Sequence, residues 1–113
     1  MKAFILSLLI FVLFNFCSTN KFKSEFDFAN KLAKDGLWKE AYSRWTKSLS
    51  ERKDDAAVHN NIAVALEQMK KYEEAEKEYK KALELASDNK FILSNYNKLK
   101  KNLKRKKNED EKN

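Results

Sequence analysis

The feature that most constrains the fold of this chain is an internal repeat with an offset of 34 residues. Residues 36–41 (GLWKEA) align with residues 70–75 (KKYEEA), and further matches stand at the same offset. These matches are Ala29 with Ala63, Leu32 with Leu66, Trp45 with Tyr79, and Leu49 with Leu83. Most of the matched residues stand at helical spacings on apolar faces, and a fixed period of this length is typical of stacked supersecondary units.

The composition excludes most folds and sites that depend on tight turns. The 113 residues include no Pro and one Gly, whereas β-hairpins and phosphate-binding loops need both turn residues and glycine. One cysteine cannot form a disulfide within the chain. No nucleophile or carboxylate pair supports His59 as a general base, so we expect it to pack. The sequence predicts an all-α chain that is not an enzyme and holds no cofactor or metal.

Small and bulky residues between positions 56 and 89 stand at the spacings of a known helical repeat. They are Ile62, Ala63, Leu66, Tyr72, Glu74, Ala75, Tyr79, Ala82, Leu83, Glu84 and Leu85. This segment resembles a tetratricopeptide repeat (TPR), and residues 22–55 resemble a second, weaker copy. The weaker copy rests on Phe28, Ala29, Leu32, Gly36, Trp38, Ala41, Trp45 and Leu49. The resemblance implies two antiparallel helices in each repeat.

We therefore expect a short α-solenoid in which two TPR helix-turn-helix repeats, 22–55 and 56–89, precede a C-terminal capping helix. That basic helix is predicted at 90–107, because Ile92, Tyr96, Leu99 and Leu103 form one apolar stripe. Residues 108–113 are all polar and are predicted to be disordered. Since solenoids usually need about three repeats, the chain is expected to be marginally stable or to gain from self-association.

The N-terminal residues have the pattern of an export signal. Met1-Lys2 precede a 14-residue apolar stretch, which is shorter than the roughly 20 residues of a spanning helix. Residues 1–17 are thus interpreted as a signal peptide and 18–21 as a short linker. Cys17 ends the apolar run and resembles the lipidated cysteine of a bacterial lipoprotein signal, although Phe16 stands where Gly or Ala is usual. An uncleaved anchor and simple secretion are the alternatives.

The TPR resemblance also implies a groove lined by the first helix of each repeat, which takes a peptide or a partner protein. By position, its candidate residues are Lys23, Phe26, Asn30, Lys34, Asn60, Asn61, Val64 and Gln68. Some TPR proteins clamp a C-terminal carboxylate with basic residues. Asn30 and Asn61 match that clamp, but Phe26, Phe91 and Asn95 replace its basic positions, so we do not expect it here.

The surplus of positive charge belongs to the C-terminus. The formal net charge is +7, and Lys98–Lys107 carry seven positive side chains in ten residues. Lys104, Arg105, Lys106 and Lys107 form the candidate contact with anionic lipid head groups or an acidic polymer. Nucleic acid is not an expected partner, because no aromatic residues alternate with these lysines.

The function expected from the sequence is a protein-interaction adaptor exported to the bacterial cell envelope and attached to a membrane. Its partner is a protein or peptide bound in the groove. The alternative is a protein that binds a membrane surface or an anionic polymer through the basic helix, with the repeats as a spacer or dimerisation element.

Overall fold

The chain folds into five α-helices in a computed structural model that describes residues 1–51 and 55–112. The side chains of residue 3 and residues 13–20 lie outside this description. The helices are α1 (Lys2–Lys34), α2 (Trp38–Glu51), α3 (Ala56–Gln68), α4 (Tyr72–Leu85) and α5 (Lys90–Asp110). Each helix packs on the next, and α3 also contacts α5. This arrangement confirms the predicted all-α solenoid of two helical hairpins and a capping helix.

The two hairpin turns have the same backbone geometry, which explains the repeat seen in the sequence. Gly36 follows α1 with a φ of +79°, and Lys70 follows α3 with a φ of 62°. In both turns the next backbone N–H donates to the carbonyl oxygen five residues earlier, at 2.9 Å. This is the bond of a Schellman motif, in which glycine is the usual left-handed residue. Lys70 adopts the same conformation at a cost of roughly 1 kcal/mol.

Side-chain caps fix the start of two helices. The Asp55 carboxylate accepts hydrogen bonds from the backbone N–H groups of Ala57 and Val58. Asn89 caps α5 in the same way, because its side-chain oxygen accepts hydrogen bonds from the backbone N–H groups of Phe91 and Ile92. Each cap satisfies backbone donors that a helix leaves without partners. Asp and Asn are among the residue types most favoured at this position.

The first and last helices are longer than the sequence predicts. Residues 18–21, expected to form a linker, continue α1 without a break, and residues 108–110, expected to be disordered, belong to α5. Neither stretch contains Pro or Gly, so no residue there ends a helix by its backbone preference. Among the described residues, no helix has both the length and the apolar character that a membrane crossing requires.

Alanines without exposed surface separate the helices of the solenoid. Ala29, Ala41, Ala63, Ala75 and Ala82 are fully buried, and large residues fill the space around them. The largest fully buried side chains are Tyr79, Leu66, Ile92, Leu99 and Val58. Ile92 and Leu99 belong to the stripe predicted on α5, whose other members, Tyr96 and Leu103, pack against the core while half-buried. The stripe therefore seals the end of the second repeat.

The single histidine forms a hydrogen bond to a carboxylate inside the second repeat. His59 on α3 is buried, and its Nδ1 donates to Glu78 Oε2 on α4 at 2.6 Å. Lys81 Nζ donates to the other carboxylate oxygen at 2.8 Å. Burial opposes ionisation of this carboxyl, but the hydrogen bonds from Lys81 and His59 outweigh it and lower the pKa of Glu78. As predicted, His59 has a packing role, and its partner lies on the facing helix.

The lowered pKa of Glu78 predicts a specific contribution to acid stability. A carboxyl with a lowered folded-state pKa stabilises the fold above its unfolded pKa of about 4.5, and this stabilisation is lost as the pH falls through the folded value. Glu78→Gln should lower the free energy of unfolding at neutral pH by about 1–3 kcal/mol. It should also flatten the decline of that free energy in acid.

The measurement is urea unfolding of the full chain by circular dichroism over a series of pH values. Glu73→Gln is the control, because it removes an exposed carboxylate of the same helix. If both variants show the same acid dependence as the parent chain, Glu78 does not contribute to stability through its charge.

Candidate functional site

A groove of about 370 Å³ lies where α1, α3 and α5 approach each other. Side chains from these three helices form its sides, and two tryptophans of α2 complete it. The lining residues are Asn30, Ala33, Lys34, Trp38, Trp45, Asn60, Asn61, Val64, Phe91 and Asn95. The first helix of each hairpin and the capping helix thus supply one continuous surface.

Four asparagines form a hydrogen-bonded row across the groove. Asn95 Nδ2 donates to Asn60 Oδ1 at 3.0 Å, and Asn60 Nδ2 donates to Asn61 Oδ1 at 3.3 Å. Asn61 Nδ2 then donates to Asn30 Oδ1 at 3.2 Å. The row joins α5, α3 and α1, so it ties the two repeats to the capping helix. Asn60 is 3% exposed, whereas the other three side chains are half-buried.

The apolar part of the groove combines buried and open aromatic surface. Trp45 is 3% exposed, and its Nε1 has no hydrogen-bond acceptor among the described residues. Phe91 is 68% exposed, although large apolar side chains in a helical solenoid are usually covered. Trp38 and Val64 are half-buried, so their exposed fractions lie between those of Trp45 and Phe91. The site therefore offers apolar surface, most of it on Phe91, whereas the Trp45 Nε1 atom is itself buried.

The groove is nearly free of charge. Lys34 is the one charged residue among the side chains that line it, and no carboxylate is in that set. Glu67 on α3 instead accepts a hydrogen bond from the Tyr79 hydroxyl at 2.5 Å. Burial and this carboxylate raise the pKa of Tyr79, which stays a neutral donor. The described lining therefore consists mainly of carboxamides and apolar side chains.

The structure brings five of the eight predicted groove residues together and leaves three outside. Asn30, Lys34, Asn60, Asn61 and Val64 line the groove. The other three, Lys23, Phe26 and Gln68, do not belong to the lining. Phe26 is half-buried and stacks on the ring of Phe22, with 6.0 Å between centroids, because its position on α1 packs against the core. Lys23 and Gln68 are exposed.

Trp38 and Trp45 were not predicted to line the groove, and Phe91 and Asn95 were considered only at the positions of the carboxylate clamp that we do not expect here. Two of these could have been found from the repeat itself. Phe91 and Asn95 stand 34 residues after Ala57 and Asn61, so α5 continues the register of the first helices. Treating α5 only as a cap concealed this. The tryptophans reach the groove from α2, which no first-helix pattern indicates.

The remaining predicted site residues lie away from the groove. Lys104, Arg105, Lys106 and Lys107 are exposed near the end of α5, where Lys106 Nζ lies 5.6 Å from the ring centroid of Tyr72. Cys17 belongs to α1, but its side chain lies outside the described residues. Within the described ranges, no group of His, Cys, Asp and Glu side chains is placed to hold a metal ion.

The asparagine row predicts a stability cost when its central member is removed. Asn60→Ala leaves partners in Asn95 and Asn61 unpaired, so the free energy of unfolding should fall by about 1–3 kcal/mol. The exposed Asn97 on α5 is the control, and Asn97→Ala should change that free energy by no more than about 0.5 kcal/mol. Urea unfolding of the full chain measures both. Equal unfolding midpoints for the two variants would show that the row does not hold the helices together.

Comparisons with known proteins agree with this architecture. The family model for the tetratricopeptide repeat matches residues 56–89. The search of curated proteins finds no significant match.

Two solved structures are similar over most of the chain. One is the second TPR domain of Spaghetti (RPAP3) bound to the HSP90 peptide SRMEEVD. It has a TM-score of 0.70 and 26% identity, and the match covers 79% of this chain and 84% of that one. The other is the Arabidopsis OM64 TPR domain, with a TM-score of 0.71, 19% identity, and coverage of 80% and 74%. Residues 56–89 are therefore a tetratricopeptide repeat, and the chain has the fold of a short solenoid of such repeats.

Proposed function

We propose that the chain is a protein-interaction module whose groove holds an extended peptide or a segment of a partner protein. The observation that carries this proposal is the row of four asparagines beside open aromatic surface. Carboxamides pair with the N–H and C=O groups of an extended backbone, while apolar walls take its side chains. The similar Spaghetti domain, which holds a peptide, supports the same use of the fold.

The N-terminal part of α1 supports attachment to a membrane. Every described side chain from Phe4 to Val12 is exposed, and the large apolar ones among them range from 52% to 85%. These consecutive residues place apolar surface on all sides of the helix, not on one face. A helix that is apolar all round needs a protein core or a lipid environment. We infer export to the bacterial cell envelope with this end in or at a membrane.

Lipidation of Cys17 is the form of attachment that we favour. The apolar stretch before it is shorter than a spanning helix, and the cysteine follows it directly. Multiple acyl chains on the mature N-terminus would attach the chain stably, whereas one chain binds marginally. An uncleaved anchor and free secretion are the competing forms, and they predict different N-termini for the mature chain.

The helix directions bear on the alternative function, in which the basic helix contacts a membrane or anionic polymer. Lys21 on α1 pairs with Glu51 at the end of α2, with 3.3 Å between Nζ and Oε1. Lys106 on α5 lies against Tyr72 at the start of α4. The basic residues thus lie at the end of the solenoid opposite to the start of α1. A membrane held by the N-terminus is therefore not the surface that the basic helix would reach.

Lipidation gives a direct prediction for the full chain expressed in a bacterial host. With labelled palmitate in the medium, the parent chain should carry the label and Cys17→Ser should carry none. Ser18→Ala is the control and should be labelled like the parent. Label on the Cys17→Ser chain would exclude lipid at this residue. An unlabelled parent chain that keeps residues 1–17 in the membrane fraction would indicate an uncleaved anchor instead.

The groove and the basic helix can be separated by two sets of substitutions in the full chain. Asn30→Ala with Phe91→Ala alters the groove, and both side chains are at least partly exposed, so the fold should persist. Changing residues 104–107 to glutamate reverses the charge of the basic helix. Partners are captured by chemical crosslinking in the native membrane fraction and identified by mass spectrometry.

We expect the groove variant to lose about nine-tenths of the partner crosslinked by the parent chain, because a truncated aromatic contact costs about tenfold in affinity. The charge-reversed variant should retain that partner. The reverse result would favour the basic helix as the binding surface and contradict the proposed role of the groove.

A further inference from the structure

We propose that the groove selects an uncharged internal peptide segment with one large apolar side chain, and that it discriminates against acidic carboxyl-terminal peptides. This inference rests on the proposed function, since it names the chemistry of the groove's occupant. It follows from three observations on the lining: its charge, the carboxamide hydrogen-bonding groups that the asparagine row does not use, and its apolar surface.

The charge of the lining disfavours an anionic ligand. Lys34 is the only cation among the lining residues, and it is exposed. A single exposed ion pair contributes about 0–1 kcal/mol, which does not offset the desolvation of a carboxylate in a half-buried groove. At positions 91 and 95, where a carboxylate clamp would have basic residues, the groove presents the Phe91 ring and the Asn95 carboxamide. Both are neutral.

The asparagine row suits a neutral backbone better than a carboxylate. Each of the four carboxamides has two N–H donors and one oxygen, and the row engages one donor in each of three residues and one oxygen in each of three. Donors and acceptors therefore both stay available along the groove. An amide group of a peptide offers the matching acceptor and donor. A carboxylate offers acceptors only, so it could use the free N–H donors of the row but would leave the carboxamide oxygens without a hydrogen-bond donor.

The aromatic side chains indicate an apolar anchor within the bound segment. Phe91 presents 68% of its surface, and Trp38, Trp45 and Val64 line the same groove of about 370 Å³. Covering this surface with one large apolar side chain contributes about 1.5–3 kcal/mol. The buried Trp45 Nε1 lacks an acceptor among the described residues. Because this nitrogen has almost no exposed surface, Trp45 contributes apolar contact to the anchor and not a hydrogen bond.

The first experiment uses the full chain in detergent micelles with two random decapeptide pools, one with free carboxyl termini and one amidated. Peptides retained on the immobilised protein are sequenced by mass spectrometry. We expect about tenfold enrichment of peptides that carry a large apolar residue and no Asp or Glu, equally from both pools. Enrichment of acidic peptides with free carboxyl termini would overturn this inference and leave the proposed function intact. No enrichment from either pool would contradict the proposed function itself.

The second experiment tests whether positions 91 and 95 set the preference. Phe91→Lys with Asn95→Arg introduces two cations, and the probes, labelled on the N-terminal amine, are SRMEEVD with a free carboxyl terminus and its uncharged analogue SQMQQVN-amide. Fluorescence anisotropy of the labelled peptides should show binding of the acidic peptide strengthened about tenfold relative to the parent chain. The same variant should bind the neutral analogue more weakly than the parent does.

The matched control adds the same charge elsewhere. Leu85→Lys with Asn97→Arg changes two exposed side chains that do not line the groove. This control should bind both peptides as the parent chain does. If it strengthens binding of SRMEEVD as much as the groove variant, the effect is one of overall charge, and the assigned selectivity is wrong.

Discussion

The close approach of neighbouring helices through alanine is the constraint on which the other features depend. Ala29, Ala41, Ala63, Ala75 and Ala82 have no exposed surface, and a larger side chain at any of them would push two helices apart. Interior packing at crystal-like density leaves no room for such a change. The asparagine row spans α1, α3 and α5 only because these helices are held near enough for hydrogen bonds of 3.0–3.3 Å. Core packing thus sets the dimensions of the groove.

The helices of the second repeat are joined by more deeply buried polar contacts than those of the first. The hydrogen bonds of His59 to Glu78 and of Tyr79 to Glu67 both join α3 to α4. Between α1 and α2 the described polar contacts, such as Arg44 with Glu25 at 3.0 Å, lie nearer the surface. Exposed pairs contribute less than buried ones, because water screens them.

Much of the fold could be predicted, because residues that recur at the 34-residue offset make equivalent contacts in the two repeats. Gly36 and Lys70 mark the same turn, and Ile92 and Leu99 mark the buried stripe of α5. The continuity of α1 was missed, since a change from apolar to polar composition was taken for a boundary although no helix-breaking residue stands there. Phe26 was misplaced because a first-helix position can face either the core or the groove. The tryptophans of α2 could not be predicted from periodicity, which describes one helix at a time.

The unbroken course of α1 from Lys2 to Lys34 has a mechanical consequence. The same helix carries the exposed apolar residues near its start and Asn30 near its end. Each residue between them adds about 1.5 Å along the helix axis. A flexible linker would absorb any tilt of the apolar end, whereas a continuous helix acts as a lever. An attachment at position 17, which lies within the same helix, would therefore be coupled without a flexible joint to the groove wall that carries Asn30, and the hydrogen bond from Asn61 to Asn30 links that wall to α3.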